Sequence, residues 1–269
     1  MKRPTACRMG VWATLSCLVF LLGAGASAAD KRDVVREARA SYYSLQTQGL
    51  SQFQCNLTPN WDALLADTKK TNPVGADRAI SMLQQIQFTV TQKTHGPAKV
   101  THTTIAATDD KMAEGLNQIY GGMEQMVSGF FDTWYPFMII SPFPNDGSDY
   151  DLAEQGDLWS LSYKDGPSAH VVTTMTKGLL IRELKVNTPQ FSSSIRPQFT
   201  ESAKGMLLTG YQADYFGQSP SETTHLKVDI AYQTVNGFQL PQKLNLGGSY
   251  GGSPFQVEVT FSGCQASTR

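Results

Sequence analysis

Charge is what this sequence has least of. Asp, Glu, Lys and Arg make up 17% of its 269 residues, against about 25% in an average soluble domain. A disordered chain would carry more charge and fewer aromatics than the 10% found here. The formal net charge of −1 leaves no basic field to hold nucleic acid. Uniformly apolar runs are also scarce. There is one, near the start, which excludes a polytopic membrane protein. Histidine occurs four times, as His95, His102, His170 and His225. No two of them stand at metal-ligand spacing, and no Cys or carboxylate cluster accompanies them, so no metal is expected. The P-loop, G-x-G-x-x-G and S-x-x-K patterns are missing as well, so no cofactor is expected.

The one apolar run reads as part of a secretory signal. Lys2, Arg3 and Arg8 precede residues 11–22, which are too short to span a bilayer comfortably. Ala26-Ser27-Ala28 then offers a cleavage site. Residues 1–29 are therefore expected to be removed, leaving residues 30–269 as a single domain in the periplasm or outside the cell. The mature chain would carry 19 basic and 23 acidic residues and would not be an integral membrane protein. Cys17 lies in the middle of the run, not after it, so it is not read as a lipidation site. Cys7 and Cys17 leave with the signal. Cys55 and Cys264 remain, and an even pair in an oxidising compartment predicts one disulfide. The sequon Asn56-Leu57-Thr58 is a weak glycosylation signal.

Periodicity predicts a helix over residues 30–48, closed by Gly49. Residues 50–57 alternate, with Ser51, Phe53, Cys55 and Leu57 as the more apolar set. Two short helices are expected over residues 61–70 and 77–85, then a hairpin over residues 86–93 and 99–106. After a long helical segment, strands dominate from residue 150 onward. They are expected at residues 158–163, 170–176, 180–186, 193–200, 207–216, 226–234, 240–246 and 255–261. Asn236-Gly237 is a strong hairpin turn. Short strands with tight turns and no crossover helices mean antiparallel pairing. The fold class is α+β: a large curved antiparallel sheet, an unclosed half-barrel, with helices covering its concave face.

Gly247-Gly248-Ser249-Tyr250-Gly251 matches the G-x-S-x-G nucleophile elbow, but a strand follows it and no histidine comes later in the chain. It reads as a glycine-rich hairpin loop, and the protein is not expected to be an enzyme. Asp109-Asp110 reads as a helix start. The unusual segment lies between. Met112, Leu116, Ile119, Met123, Met126 and Phe130 recur at spacings of four and three and form one helical stripe. Gly115, Gly121, Gly122 and Gly129 lie beside it, predicting close packing or pliability. Trp134 and Phe137 follow in an apolar stretch that Pro136, Pro142 and Pro144 should keep from being a regular helix. The simplest reading of each residue is core packing against the sheet. As a group, Met112, Leu116, Ile119, Met123, Met126, Phe130, Trp134 and Phe137 suit the lid of a cavity for an apolar ligand.

Three stretches carry a family resemblance. Ala-Arg-Ala-Ser-Tyr-Tyr-Ser-Leu at residues 38–45, followed by Gly-Leu-Ser-Gln-Phe at 49–53, resembles an opening helix and first strand. Ile-Arg-Glu-Leu-Lys-Val at 181–186 resembles a middle strand, and residues 232–244, around Asn236-Gly237-Phe238-Gln239-Leu240-Pro241, resemble a late hairpin. Together with the element order, these resemble the periplasmic lipoprotein-carrier superfamily, the LolA-like fold with its LolB-like, RseB-like and LppX-like relatives. The resemblance implies an unclosed antiparallel barrel whose helical lid covers an apolar cavity, with a lipid or lipoprotein acyl chain as ligand. The chain departs from the family in the Met/Phe/Trp segment over residues 112–143. The family's lid-closing arginine has no counterpart that can be placed. The expected function is non-enzymatic binding of a lipid, acyl chain or other apolar ligand in a Gram-negative envelope. The rival is an envelope structural or interaction module that docks a protein partner and no small ligand.

Overall fold

The computed structural model describes residues 28–145, 147–219 and 223–268. The expected signal lies outside them, apart from Ala28 and Ala29. Twelve strands make one antiparallel sheet: β1 (Leu50–Pro59), β2 (Phe88–Lys93), β3 (Lys99–His102), β4 (Tyr150–Gln155), β5 (Leu158–Asp165), β6 (Ala169–Thr176), β7 (Ile181–Asn187), β8 (Ser192–Ser202), β9 (Gly205–Phe216), β10 (Thr224–Val235), β11 (Phe238–Tyr250) and β12 (Ser253–Thr268). Helices are few: α1 (Ala28–Ala40), α2 (Trp61–Leu64), α3 (Ala66–Thr71), α4 (Pro73–Leu83) and α5 (Asp110–Met138). The described residues are thus mostly β.

The strand order is β3-β2-β1-β12-β11-β10-β9-β8-β7-β6-β5-β4, and the sheet is not closed. Strands β4 to β12 form an unbroken meander. β1 then pairs antiparallel with β12, from Leu50 opposite Thr268 to Pro59 opposite Val259. Burial along β1 alternates as expected: Phe53, Cys55 and Leu57 are buried, and Gln52, Gln54 and Asn56 are exposed. The disulfide forms between Cys55 and Cys264, across 209 positions of chain. It sits at a bulge, where the register jumps between Gln54 and Asn56. Gly263 takes φ +57° there, a conformation that suits glycine. At the β10–β11 turn, Asn236 and Gly237 both adopt positive φ, 50° and 83°. That is the requirement of the tight two-residue hairpin.

Four expectations shift for physical reasons. The first helix ends at Ala40, not Gln48, because tertiary partners capture the next residues. Tyr43 N–H donates to Met206 O (3.1 Å), and Met206 N–H donates to Ser41 O (2.8 Å). The Tyr42 hydroxyl accepts from Ile181 N–H (2.7 Å) and donates to Leu179 O (2.8 Å). The approach is close: a Cβ at Gly205 would lie 2.9 Å from Ser41 O. Second, α5 runs through Pro136 to Met138. The N–H groups of Leu45 and Gln46 then bond the carbonyls of Met138 and Ile139, at 2.9 Å each, satisfying the helix end. Third, Pro197 sits inside β8. It is tolerated because β7 pairs only with residues 192–195 of that strand, leaving Pro197 an edge on that side. Fourth, Gly247 and Gly248 are not loop residues. They belong to β11, and the turn falls at residues 251–252. A Cβ at Gly248 would collide with His225 O, so the glycine permits close strand contact.

The long connection from β3 to β4 holds α5, and it joins one edge of the sheet to the other. At about 1.5 Å per residue, a helix of this length is about 43 Å long, so it crosses much of the sheet. Its side chains meet Phe53 of β1, Phe261 of β12, Tyr232 of β10, Tyr215 of β9 and Phe199 of β8. Among the described strands, β1–β12 is the one pairing between strands that are not consecutive in the chain, and the disulfide locks it. Replacing Cys55 and Cys264 with Ala together should lower unfolding stability by about 2–5 kcal/mol, measured as a fall in the urea midpoint. An unchanged midpoint would show that the pairing holds without it.

Candidate functional site

α5 is held in two different ways along its length. The C-terminal half is pinned by specific hydrogen bonds. Trp134 Nε1 donates to the Tyr232 hydroxyl (3.0 Å), Thr133 Oγ1 bonds the Tyr215 hydroxyl (2.7 Å), and the Tyr135 hydroxyl donates to Thr94 O (2.8 Å). Burial pushes the Tyr215 and Tyr232 hydroxyls above the ordinary tyrosine value, so both stay protonated. Around these bonds the rings of Phe130, Phe131 and Trp134 pack with Phe53 and Phe261, at centroid distances of 5.0–6.5 Å. Phe137 meets Phe199 edge-on at 6.0 Å.

The N-terminal half starts as expected, with Asp109 Oδ1 accepting from Met112 N–H (2.8 Å). Beyond that cap its contacts are mainly apolar. One ring anchors it: Tyr120 stacks on His102 of β3 at 3.9 Å, and its hydroxyl accepts from Ile105 N–H (3.0 Å). Leu116 and Met123 are buried, while Met112, Ile119 and Met126 are half-buried. The stripe thus faces the core along its whole length, and its C-terminal members Phe130, Trp134 and Phe137 are tightly packed. The flanking glycines do not serve close packing. A Cβ at Gly115, Gly121, Gly122 or Gly129 would meet nothing within 4 Å. What remains of the expectation is pliability.

Among the described residues, three recesses larger than a water site lie elsewhere: an open groove of about 460 Å³ on α4, beside Val74, Asp77 and Met82, and two more enclosed ones. One, of about 400 Å³, lies where β1 meets α2 and is lined by Asn56, Asn60, Trp61, Gln84 and Gln87. The other, of about 220 Å³, lies between the β2–β3 turn and α5, beside Gln92, Phe131, Asp132 and Tyr135. None of the eight stripe residues lines either one. Partial burial raises the Asp132 carboxyl above the ordinary aspartate value. Gln92 is buried, and its Oε1 has no hydrogen-bond partner. Among the described residues no group of three His, Cys, Asp or Glu is placed to hold a metal, and no helix is long and apolar enough to cross a membrane.

The sheet register reveals one cluster that sequence reasoning missed. His225 of β10 stands opposite Asp214 of β9 and Ser249 of β11. Asp214 bonds His225 Nδ1 and Arg196 Nη2, both at 2.7 Å. Linear order hides such a row, because only strand pairing aligns residues 214, 225 and 249. The elbow geometry is nevertheless lacking, since Ser249 sits within a strand, and among the described residues no hydrogen bond joins it to His225. The row is polar and lies on the sheet's outer face, with one ion pair, Arg196–Asp214, and a hydrogen bond between His225 and Asp214.

No family model, no curated protein and no solved structure matches the chain.

Two outcomes follow from this geometry. Gly121→Ala with Gly122→Ala should raise unfolding stability by about 1 kcal/mol per site, read as a higher thermal midpoint; a lower midpoint would mean these glycines meet a constraint. The hydrogen bond from His225, then that from Arg196, holds the Asp214 carboxyl below the ordinary aspartate value. Its stabilising contribution is therefore complete above the unfolded-state pKa and is lost as pH falls through the lower folded value. The midpoint difference between the native protein and Asp214→Asn should shrink between pH 7 and pH 2. A constant difference would show that the carboxylate's charge contributes nothing.

Proposed function

We propose that this protein is a non-enzymatic binding protein of the bacterial envelope, of LolA-like type. It would hold an acyl chain or similar apolar ligand between the N-terminal half of α5 and the sheet. In this reading the sheet is a curved half-barrel and α5 is the lid over its concave face. The observation that carries it is the unequal attachment of one continuous stripe. Residues 130–138 are bonded and packed to the sheet. Residues 112–126 rest on apolar contacts, the one stacked ring of Tyr120 and the hydrogen bond to its hydroxyl, beside glycines where an added Cβ would meet nothing within 4 Å. That half can lift while the other stays as a hinge, and its methionines can repack around a ligand. Each ligand methylene moved out of water contributes about 0.8 kcal/mol, so a long chain is held without directed polar contacts. The disulfide fits an oxidising compartment.

The decisive measurement is native mass spectrometry of the protein purified from its own envelope, then titration of delipidated protein with a fluorescent sixteen-carbon fatty acid. The expected result is a bound species of lipid mass and saturable uptake. Ile119→Gln with Met126→Gln should weaken uptake at least tenfold while leaving the thermal midpoint within a few degrees. A bare polypeptide mass with no uptake would overturn the reading.

A second reading has its own support. The well-packed C-terminal half of α5 leaves no space at Phe130, Trp134 or Phe137, and β4 pairs on one side only, with β5. An open edge strand is a template for strand addition. As an envelope interaction module the protein would co-purify with one partner, and proline placed in β4 would release it.

A further inference from the structure

The meander places five strand ends together: β8, β10 and β12 begin, and β9 and β11 finish, on the same side of the sheet. Three of the four large apolar side chains exposed among the described residues lie there: Phe191 (42% exposed), Phe216 (43%) and Tyr250 (60%). Phe191 ends the β7–β8 turn, and Ser192 beside it pairs with Phe216. Thr224 stands opposite both Tyr215 and Tyr250. With strands about 4.8 Å apart, the three rings fall within about 15 Å along one rim. Scattered single apolar residues are ordinary, whereas a cluster on adjacent turn tips is not.

Charge is sparse at this rim. Among the described residues the connecting segments, Thr188-Pro189-Gln190-Phe191, residues 217–219 with Thr223, and Gly251-Gly252, carry none, and the sequence between residues 219 and 223 adds one, Glu222. On the outer face nearby, Arg196 pairs with Asp214, His225 bonds Asp214, and Lys185 pairs with Glu183. The rings also point to both sides. Tyr215 faces α5 through Thr133, so Tyr250, in register with it, shares that face. Phe216, the next residue along β9, takes the opposite one. A folded protein partner needs a continuous face to pack against. Rings set on both sides of an edge suit a soft medium that the edge enters. Aromatic tips with neutral flanks match the boundary between headgroups and acyl chains.

We infer that the rim formed by Phe191, Phe216 and Tyr250 docks edge-on into the interface of an electrically neutral phospholipid membrane. The inference does not rest on ligand binding under α5. The test is co-flotation of the full protein with phosphatidylcholine vesicles in 0.05 and 0.5 M NaCl. Partitioning is expected at both salt concentrations and should fall at least tenfold in Phe191→Ser/Phe216→Ser/Tyr250→Ser. Because all three side chains are exposed, that variant should keep the native thermal midpoint. Flotation of the native protein that vanishes in 0.5 M NaCl, flotation unchanged in the variant, or none at all would overturn the proposal. So would a concentration-dependent dimer in vesicle-free solution that the triple variant abolishes, since the rim would then seat a second copy. A variant that fails to hold its fold is replaced by the three single substitutions, each expected to reduce partitioning.

Discussion

The pairing of β1 with β12 is the constraint on which the rest depends. Every other neighbouring pair in the sheet joins consecutive strands, most of them as hairpins and β1–β2 across residues 60–87 with α2, α3 and α4. Those pairings cost little loop entropy and specify little beyond local order. The β1–β12 contact alone brings the first strand onto the last and so converts a nine-strand meander into a twelve-strand sheet. It carries the disulfide and a bulge at Gly263, and the inward residues of both strands, Phe53 and Phe261, form the floor on which Phe131 packs.

Once that pairing is made, the course of α5 is determined. β3 and β4 become opposite edges, so the segment between them has to travel across the sheet. Crossing one face buries its apolar side, and the stripe of Met, Leu, Ile and Phe is what such a crossing requires. The buried hydroxyls of Tyr215 and Tyr232 fix where the crossing helix sits, because each would be left unsatisfied if the helix slid by a turn. The N-terminal half has a single such index, Tyr120, which stacks on His102 and accepts from Ile105 N–H. Position is therefore specified more fully at one end of the helix than at the other.

Much of this was legible in the residues. Asn236-Gly237 marked its turn because few residue pairs accept positive φ twice in succession. Cys55 and Cys264 were legible as a bridge because Cys7 and Cys17 fall within the expected signal, which leaves an even pair. Asp109 marked the start of α5. Several features were not legible. Tyr42 and Tyr43 continue a helical pattern and leave the helix only because Met206, Ile181 and Gln239 claim their polar groups. Gly247 and Gly248 resemble a loop until the closeness of His225 is seen. The alignment of Asp214, His225 and Ser249 exists only in the register. For the stripe, periodicity correctly gave one continuous inward face. It did not reveal that the face divides into a half with several hydrogen bonds and a half whose one polar anchor is Tyr120, because that division is set by partners on β9, β10 and β3.

The 209 positions between Cys55 and Cys264 also have a meaning in time. A ribosome adds about 5–20 residues per second. After Cys55 is made, its partner follows only some ten to forty seconds later. During that interval the outer side of β1 has no strand to pair with. β2, pairing on the other side of β1, can shield half of it early, and the meander can grow hairpin by hairpin. The sheet nevertheless becomes whole only with its final sixteen-residue strand. A chain that lacks β12 has no strand to join β1 to the meander, so the two parts of the sheet wait on that strand.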